Sequence, residues 1–262
     1  MLRSYLIATL LAAGSAVAQL STDISFTPGG ATLTFEQQQN APNYAFTGAP
    51  YSATQTTSRT QSLANGSRTS QKSTLVSIWQ DSFGRKRTDQ QYATPSGSSI
   101  VVTQIVDPVA GAIYVLDPAQ NVAHRVKITA TVNQVQTTAT PMPDGSPSSI
   151  TNADGSTFAT EILGSRIIGG LNAFGSRITT HYPAGSPLGN DKPMDTVTES
   201  WNAPQIGAQI LFKIQDPRFG DSTVELENVV AGEPDPSMLK PPADYVVADE
   251  TGPFQVRLTQ LP

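Results

Sequence analysis

The chain is predicted to be mainly β, built from antiparallel strands with few short helices. Three observations lead there. Apolar and polar residues alternate with period two in segment after segment from residue 51 onward. Asn-Gly and Asp-Pro pairs, which favour tight turns, separate those segments. Hydrophobic residues make up 38% of the chain and charged ones only 14%, with 20 glycines and 20 prolines. Ser, Thr and Gln fill the difference, and that mixture suits strands and turns better than helices. Recurring apolar segments argue against wholesale disorder.

The first 18 residues read as a cleavable secretory signal. Arg3 supplies the positive start, residues 5–13 are almost unbroken apolar, and Ala16-Val17-Ala18 offers small residues for cleavage after Ala18. The apolar run is too short for a membrane span, and no second run of about 18 apolar residues follows. A periplasmic or secreted location is therefore expected. With no cysteine, stability must come from burial and not from disulfides, and a lipid-modified N-terminal cysteine is excluded.

Residues 19–50 lack clear periodicity and read as a weakly structured extension, with one short helix around 32–39. One domain is expected over 51–262. Strands are predicted at 54–62 and 67–80, flanking Asn65-Gly66, the strongest hairpin signal in the chain. A turn at Asp81-Ser82-Phe83-Gly84 leads into a strand over 85–92. Residues 100–106 are apolar on both faces, as in a doubly covered strand, and Asp107-Pro108 ends them. Residues 112–116 repeat the plan, ended by Asp117-Pro118. From 122 to 129, Val122, His124, Val126 and Ile128 share one face, against Arg125 and Lys127. Residues 131–156, rich in Thr, Ser, Pro, Asp and Gly, are expected to form a long loop. Strand patterning returns at 160–168, 176–182, 194–201, 209–215 and 222–230. One helical turn is expected at 235–239 before Pro241-Pro242 stops it.

Formal net charge is −5 with a pI of about 5.0. Acidity and export together oppose nucleic-acid binding. Basic residues lead between 59 and 127, and acidic ones between 191 and 250. Solvated surfaces of opposite sign account for this, with a polar partner surface as the alternative.

Several motifs, in their order along the chain, resemble the bacterial lipoprotein-carrier superfamily (LolA-like) and its exported relatives. They are Trp79-Gln80-Asp81-Ser82-Phe83-Gly84-Arg85-Lys86-Arg87, then Asp107-Pro108 with Tyr114-Val115-Leu116-Asp117-Pro118. Glu161-Ile162-Leu163-Gly164, Gly169-Gly170 and Glu199-Ser200-Trp201 follow. Glu233-Pro234-Asp235-Pro236-Ser237-Met238-Leu239 leads to Pro242-Ala243-Asp244-Tyr245. The match covers about residues 51–247. The resemblance implies a strongly curved antiparallel sheet, an incomplete β-barrel, whose apolar hollow binds a lipid or an acylated protein.

The residues themselves carry little chemistry. There is no Gly-x-Ser-x-Gly elbow, and Ser186 sits in a Pro/Gly-rich turn, so no catalytic nucleophile is expected. His124 reads as a hydrogen-bonded core histidine and His181 as a solvated one; their spacing defines no metal site. Asn152-Ala153-Asp154-Gly155-Ser156 lacks the further acidic ligands of a calcium loop and reads as a side-chain-closed turn. Asp107, Asp117, Asp216 and Asp235 each precede proline, which suits turns and not acid–base pairs. Neither enzymatic activity nor a cofactor is expected.

What remains is a binding reading. Alternation on the 209–215 strand predicts Ile210, Phe212 and Ile214 on the inward face, against Lys213 and Gln215. Val126 and Ile128 should face inward likewise, and Trp79 and Trp201 could line the same hollow. Arg85, Lys86 and Arg87 could bind a phosphate or acidic partner, or simply form a solvated hairpin arm. Glu199 is either half-buried with a basic partner or at a sheet edge. The alternative function is a structural or regulatory interaction module of the envelope whose core is filled by its own side chains.

Overall fold

A computed structural model describes residues 21–27, 30–36, 49–63, 65–95, 97–128 and 148–259. The expected signal at 1–18 lies outside them. The strands, in chain order, are β1 (Ser21–Thr27), β2 (Gly30–Glu36), β3 (Tyr51–Ser62), β4 (Arg68–Gln80), β5 (Lys86–Ala93), β6 (Ser99–Asp107), β7 (Ala112–Asp117) and β8 (Val122–Lys127). They continue with β9 (Ser148–Thr151), β10 (Thr157–Ile168), β11 (Leu171–Tyr182), β12 (Met194–Ala203), β13 (Ala208–Asp216) and β14 (Gly220–Ala231). One 3-10 turn, Pro236–Leu239, precedes β15 (Val246–Glu250) and β16 (Phe254–Thr259). The protein is thus mainly β, with large mixed and antiparallel sheets that do not close into a barrel.

Two compact units divide the chain, where one domain was expected. Among the described residues, unit 1 takes those within 21–54, 74–128 and 230–259, and unit 2 those within 55–73 and 148–229. Strands β3 and β4 run through both, since Thr54 and Thr74 mark the boundaries. At the tip of the hairpin between β3 and β4, Asn65 Oδ1 accepts the Ser67 backbone N–H at 3.0 Å, and Gly66 adopts φ 82°. That tight turn folds β3 and β4 into a hairpin whose tip belongs to unit 2.

In unit 1, β4 to β8 form an antiparallel meander, and β15 adds to β8 in parallel. The sheet is therefore mixed and not wholly antiparallel. A parallel partner needs a long crossover connection, and the chain between β8 and β15 supplies one. A second sheet, ordered β1-β2-β16, contributes to the same core. Ala31, Leu33 and Phe35 from β2 and Phe254, Val256 and Leu258 from β16 are buried with Ile100, Val106, Ile113, Val115 and Val126.

This arrangement corrects the reading of residues 19–50. The helix expected at 32–39 is strand β2 as far as Glu36, with the rest outside the described residues. Its buried positions fall on alternate residues, which is strand and not helix spacing. Among the described residues of this segment, 30–36 is a core element and not a weakly structured extension. The physical reason is long-range: its apolar face finds β16, the last strand of the chain, at the register Leu33↔Val256.

In unit 2, β9 to β14 follow one another as an antiparallel meander. The long loop expected over 131–156 is correct for its last turn alone among the described residues. Residues 148–151 are strand β9, and 131–147 lie outside those residues. Two register shifts interrupt the pleat, at Ile162/Gly164 and at Trp201/Asn202. The 3-10 turn at Pro236–Leu239 in unit 1 appears where the sequence predicts it, capped by Asp235 and anchored by buried Leu239.

Candidate functional site

The predicted contact residues divide between the two units. Trp79, Val126 and Ile128 belong to unit 1, while Trp201, Ile210, Phe212 and Ile214 belong to unit 2. No single hollow gathers them within one unit. Val126 and Ile128 are buried in the unit 1 core against the β2 and β16 side chains, so the protein itself fills that space. His124 shares this face. Its Nδ1 lies 2.7 Å from Glu250 Oε1, and its ring stacks on Phe254 at 4.9 Å between centroids.

The basic triplet is not one cationic surface. Arg85 and Arg87 alternate with Lys86 along the backbone, so neighbours point to opposite faces. Arg85 Nε donates to Asp81 Oδ2 at 2.6 Å. Arg87 pairs with Asp89 through two hydrogen bonds of 2.8 and 2.9 Å and lies 5.6 Å from the half-buried Trp79 ring. Lys86 is only 8% exposed, at the register of Gln80 and Val106. Burial pushes its ammonium down to about 8, because a low-dielectric surrounding disfavours the charged form.

Unit 2 presents two contrasting sheet faces. On the first, cross-strand register aligns Glu161, Arg177, Glu199 and Lys213 on four successive strands, with charges alternating in sign. Arg177 bridges its neighbours, donating to Glu161 Oε2 at 3.0 Å and to Glu199 Oε2 at 3.3 Å. The Trp201 indole N–H donates to Glu199 Oε1 at 2.6 Å. That bond, joined by Arg177, holds the Glu199 carboxyl below its ordinary range. Glu199 is accordingly half-buried with a basic partner, the first of the two alternatives for it.

Trp201 owes its position to a glycine. A Cβ at Gly175 would lie 2.7 Å from three indole carbons, so the ring lies flat on bare backbone. The Arg166 guanidinium stacks on the ring at 3.9 Å from its centroid. Trp201 is thereby buried, a member of a packed cluster and not of an open hollow.

The second face is aliphatic and hydroxylic. Register places Ile162, Ser176, Ser200, Phe212 and Val224 in one row, and Thr160, Ile178, Thr198, Ile214 and Ser222 in the next. Phe212 and Ile214 are half-buried here, while Phe158 and Ile178 are each 40% exposed. Ile210 does not follow them. The register shift at Trp201/Asn202 leaves it opposite no β12 residue, and both Ile210 and Leu211 are buried. A bulge of this kind breaks period two, so both neighbours are buried at this end of the strand. Gly169, at the β10–β11 turn, comes close to it: a Cβ there would stand 3.4 Å from Ile210 Cδ1.

Sequence reasoning missed Phe158, Ile162 and Val224 as members of this face. The signal was present in their alternation with Thr, Ser and Glu, but strand order was needed to align them. Among the described residues, no group of three or more His, Cys, Asp or Glu could hold a metal ion, and no helix is long and apolar enough to cross a membrane.

No protein-family model matches this chain, and no curated protein matches it. Solved structures with some likeness include an uncharacterized conserved protein from Thermus thermophilus, 10% identical, covering 77% of this chain and 91% of that one, at a TM-score of 0.37. Another is a "putative lipoprotein" from Parabacteroides distasonis, 12% identical, covering 73% of this chain and 100% of that one, at a TM-score of 0.30. Likeness at this level carries nothing from those proteins to this chain. None of these comparisons assigns it to the lipoprotein carriers.

Proposed function

We propose that this is an exported, non-enzymatic protein of the cell envelope that holds a lipid or acylated partner against the aliphatic face of unit 2. One observation carries the reading: Phe158 and Ile178 remain 40% exposed on the same face as half-buried Phe212 and Ile214, among Ile162, Val224 and a set of Ser and Thr. Such a face can accept an apolar chain and offer hydroxyls to its polar end. The N-terminal signal pattern supports export.

A second reading has its own support. The unit 1 core is filled by two sheets packed on one another, as expected of an interaction module that needs no ligand inside.

Native mass spectrometry of protein exported through its own leader separates the two. Bound lipid would appear as added mass, and Ile178→Asp would remove it. Protein that carries no lipid, with or without that substitution, would leave the interaction-module reading standing alone.

A further inference from the structure

Two hairpin turns, one in each unit, repeat a single side-chain arrangement. Between β4 and β5 the chain reads Asp81-Ser82-Phe83-Gly84-Arg85; between β13 and β14 it reads Asp216-Pro217-Arg218-Phe219-Gly220. Both aspartates are buried. Asp81 Oδ1 accepts the backbone N–H groups of Phe83 and Arg85 at 2.9 Å each, and its Oδ2 accepts from Arg85 Nε at 2.6 Å. Asp216 Oδ1 accepts from the Arg218 backbone N–H and Nε at 2.9 Å each, and its Oδ2 accepts from Nη2 at 2.7 Å. Each guanidinium then lies over the neighbouring phenyl ring, 5.6 Å from Phe83 and 5.0 Å from Phe219. Those rings are 62% and 66% exposed.

Closing a turn explains the aspartates and nothing more. A carboxylate can cap backbone N–H groups with any residue at the tip, and a single exposed apolar side chain is ordinary. The same buried acid, locked guanidinium and outward phenyl ring in two unrelated turns is a different matter. In unit 2 the surroundings add to it. Arg218 also approaches the Tyr182 ring at 6.0 Å, and the loop after Tyr182 exposes Leu188.

We propose that both turns are contacts for the headgroup layer of a lipid bilayer. Each phenyl ring enters the acyl boundary while its arginine stays at the level of the phosphates, the division of labour seen wherever aromatic and cationic side chains meet that interface. A convex ring at a turn apex suits a fluid surface; a protein partner would have to supply a shaped pocket for each tip. A bilayer also repeats its chemistry everywhere, so each tip can find it independently of the other. The charge balance makes the contact apolar first. Each arginine is already paired with an aspartate, and the Glu233 carboxylate accepts the Ser82 N–H at 3.3 Å.

The experiment is co-sedimentation of the mature chain with vesicles of phosphatidylethanolamine and phosphatidylglycerol. Wild-type protein is expected to sediment with them, and the bound fraction should fall little as salt rises. Phe83→Ser and Phe219→Ser should each lower the bound fraction, and the double variant should stay in solution. Both positions are exposed, so the melting temperature should not move. Ile178→Asp, which tests the proposed apolar face, should leave sedimentation unchanged, so the two ideas fail separately. Wild-type protein that ignores vesicles would overturn the proposal. So would a double variant that binds as well as wild type, or binding lost through Ile178→Asp alone.

Discussion

Lys86 is the residue where burial and charge conflict most. Its ammonium is buried, and desolvation lowers its pKa from 10.5 to about 8. The folded state therefore releases the proton before the unfolded state does. Below pH 8 both states hold it, and the burial cost is felt in full. Between about pH 8 and 10.5 the unfolded chain binds more protons, so stability rises with pH across that window. Lys86→Met should raise stability at neutral pH by about 2–3 kcal/mol and remove the rise. Urea denaturation at about pH 7 and about pH 9.5, on either side of the onset of that rise, checks this; a variant that keeps the wild-type pH slope would contradict it.

Glu199 shows the opposite sign. Its folded pKa is depressed, first by the Trp201 N–H and then by Arg177. Its contribution is present above the ordinary carboxylate range and is lost as pH falls through the folded value. Glu199→Gln should therefore flatten the acid limb of the stability profile, as measured by denaturation across the acid range. The sequence signal for Glu199 was ambiguous because its partners Arg166 and Arg177 lie on other strands.

Among the elements, the β10–β12 strands depend on one missing side chain. Gly175→Ala would push a Cβ into the Trp201 ring, costing about 1–3 kcal/mol through overpacking. The displaced indole would lose its bond to Glu199, so tryptophan fluorescence should shift red and the Glu199 carboxyl should titrate higher. Unchanged fluorescence in the Gly175→Ala protein would show that the ring is not seated on this glycine. The β4–β5 turn is held just as locally. Asp81→Ala removes three acceptor contacts from a buried site and should cost about 2–4 kcal/mol, read as a lower melting temperature. Asp81→Asn should recover part of it.

These elements also mark how far period two can be read. On β8, Val126 is buried and Lys127 exposed, while Ala123 on the Lys127 face is fully buried as well. On β13 a register shift at Trp201/Asn202 leaves Ile210 opposite no β12 residue, and Ile210 and Leu211 are both buried, so alternation alone does not separate the two faces there. On β5 the Arg-Lys-Arg triplet looks like one basic arm, yet alternation sends Lys86 inward, where Ile78, Val106 and the rest of the core face lie.

At the scale of the molecule, residues 21–36 carry the clearest consequence. Leu33 and Phe35 supply part of the unit 1 core, and Phe35 stacks on Phe254 at 5.0 Å. A mature chain lacking residues 19–36 should expose Val115, Val126 and Val256 to water. It should bind a hydrophobic dye and lose protected amides in β6 to β8, while the β10 to β13 amides keep theirs. Equal loss in both sets of strands would show that the two units are not separately stable.

By itself the sequence determined the class of structure: the strands β3 to β8 and β10 to β14, several of their turns and the short 3-10 stop follow from local alternation, from Asn-Gly and Asp-Pro pairs, and from proline, whereas β1, β2, β9, β15 and β16 were not read from it. Those signals act over a few residues, where sterics and turn hydrogen bonds decide. Tertiary structure alone decided which strands are neighbours, so that β2 joins β16, β15 runs parallel to β8, and Glu161, Arg177, Glu199 and Lys213 line up. Pairing between distant strands depends on burying whole apolar faces and satisfying backbone groups between segments far apart in the chain, and no single segment carries that information.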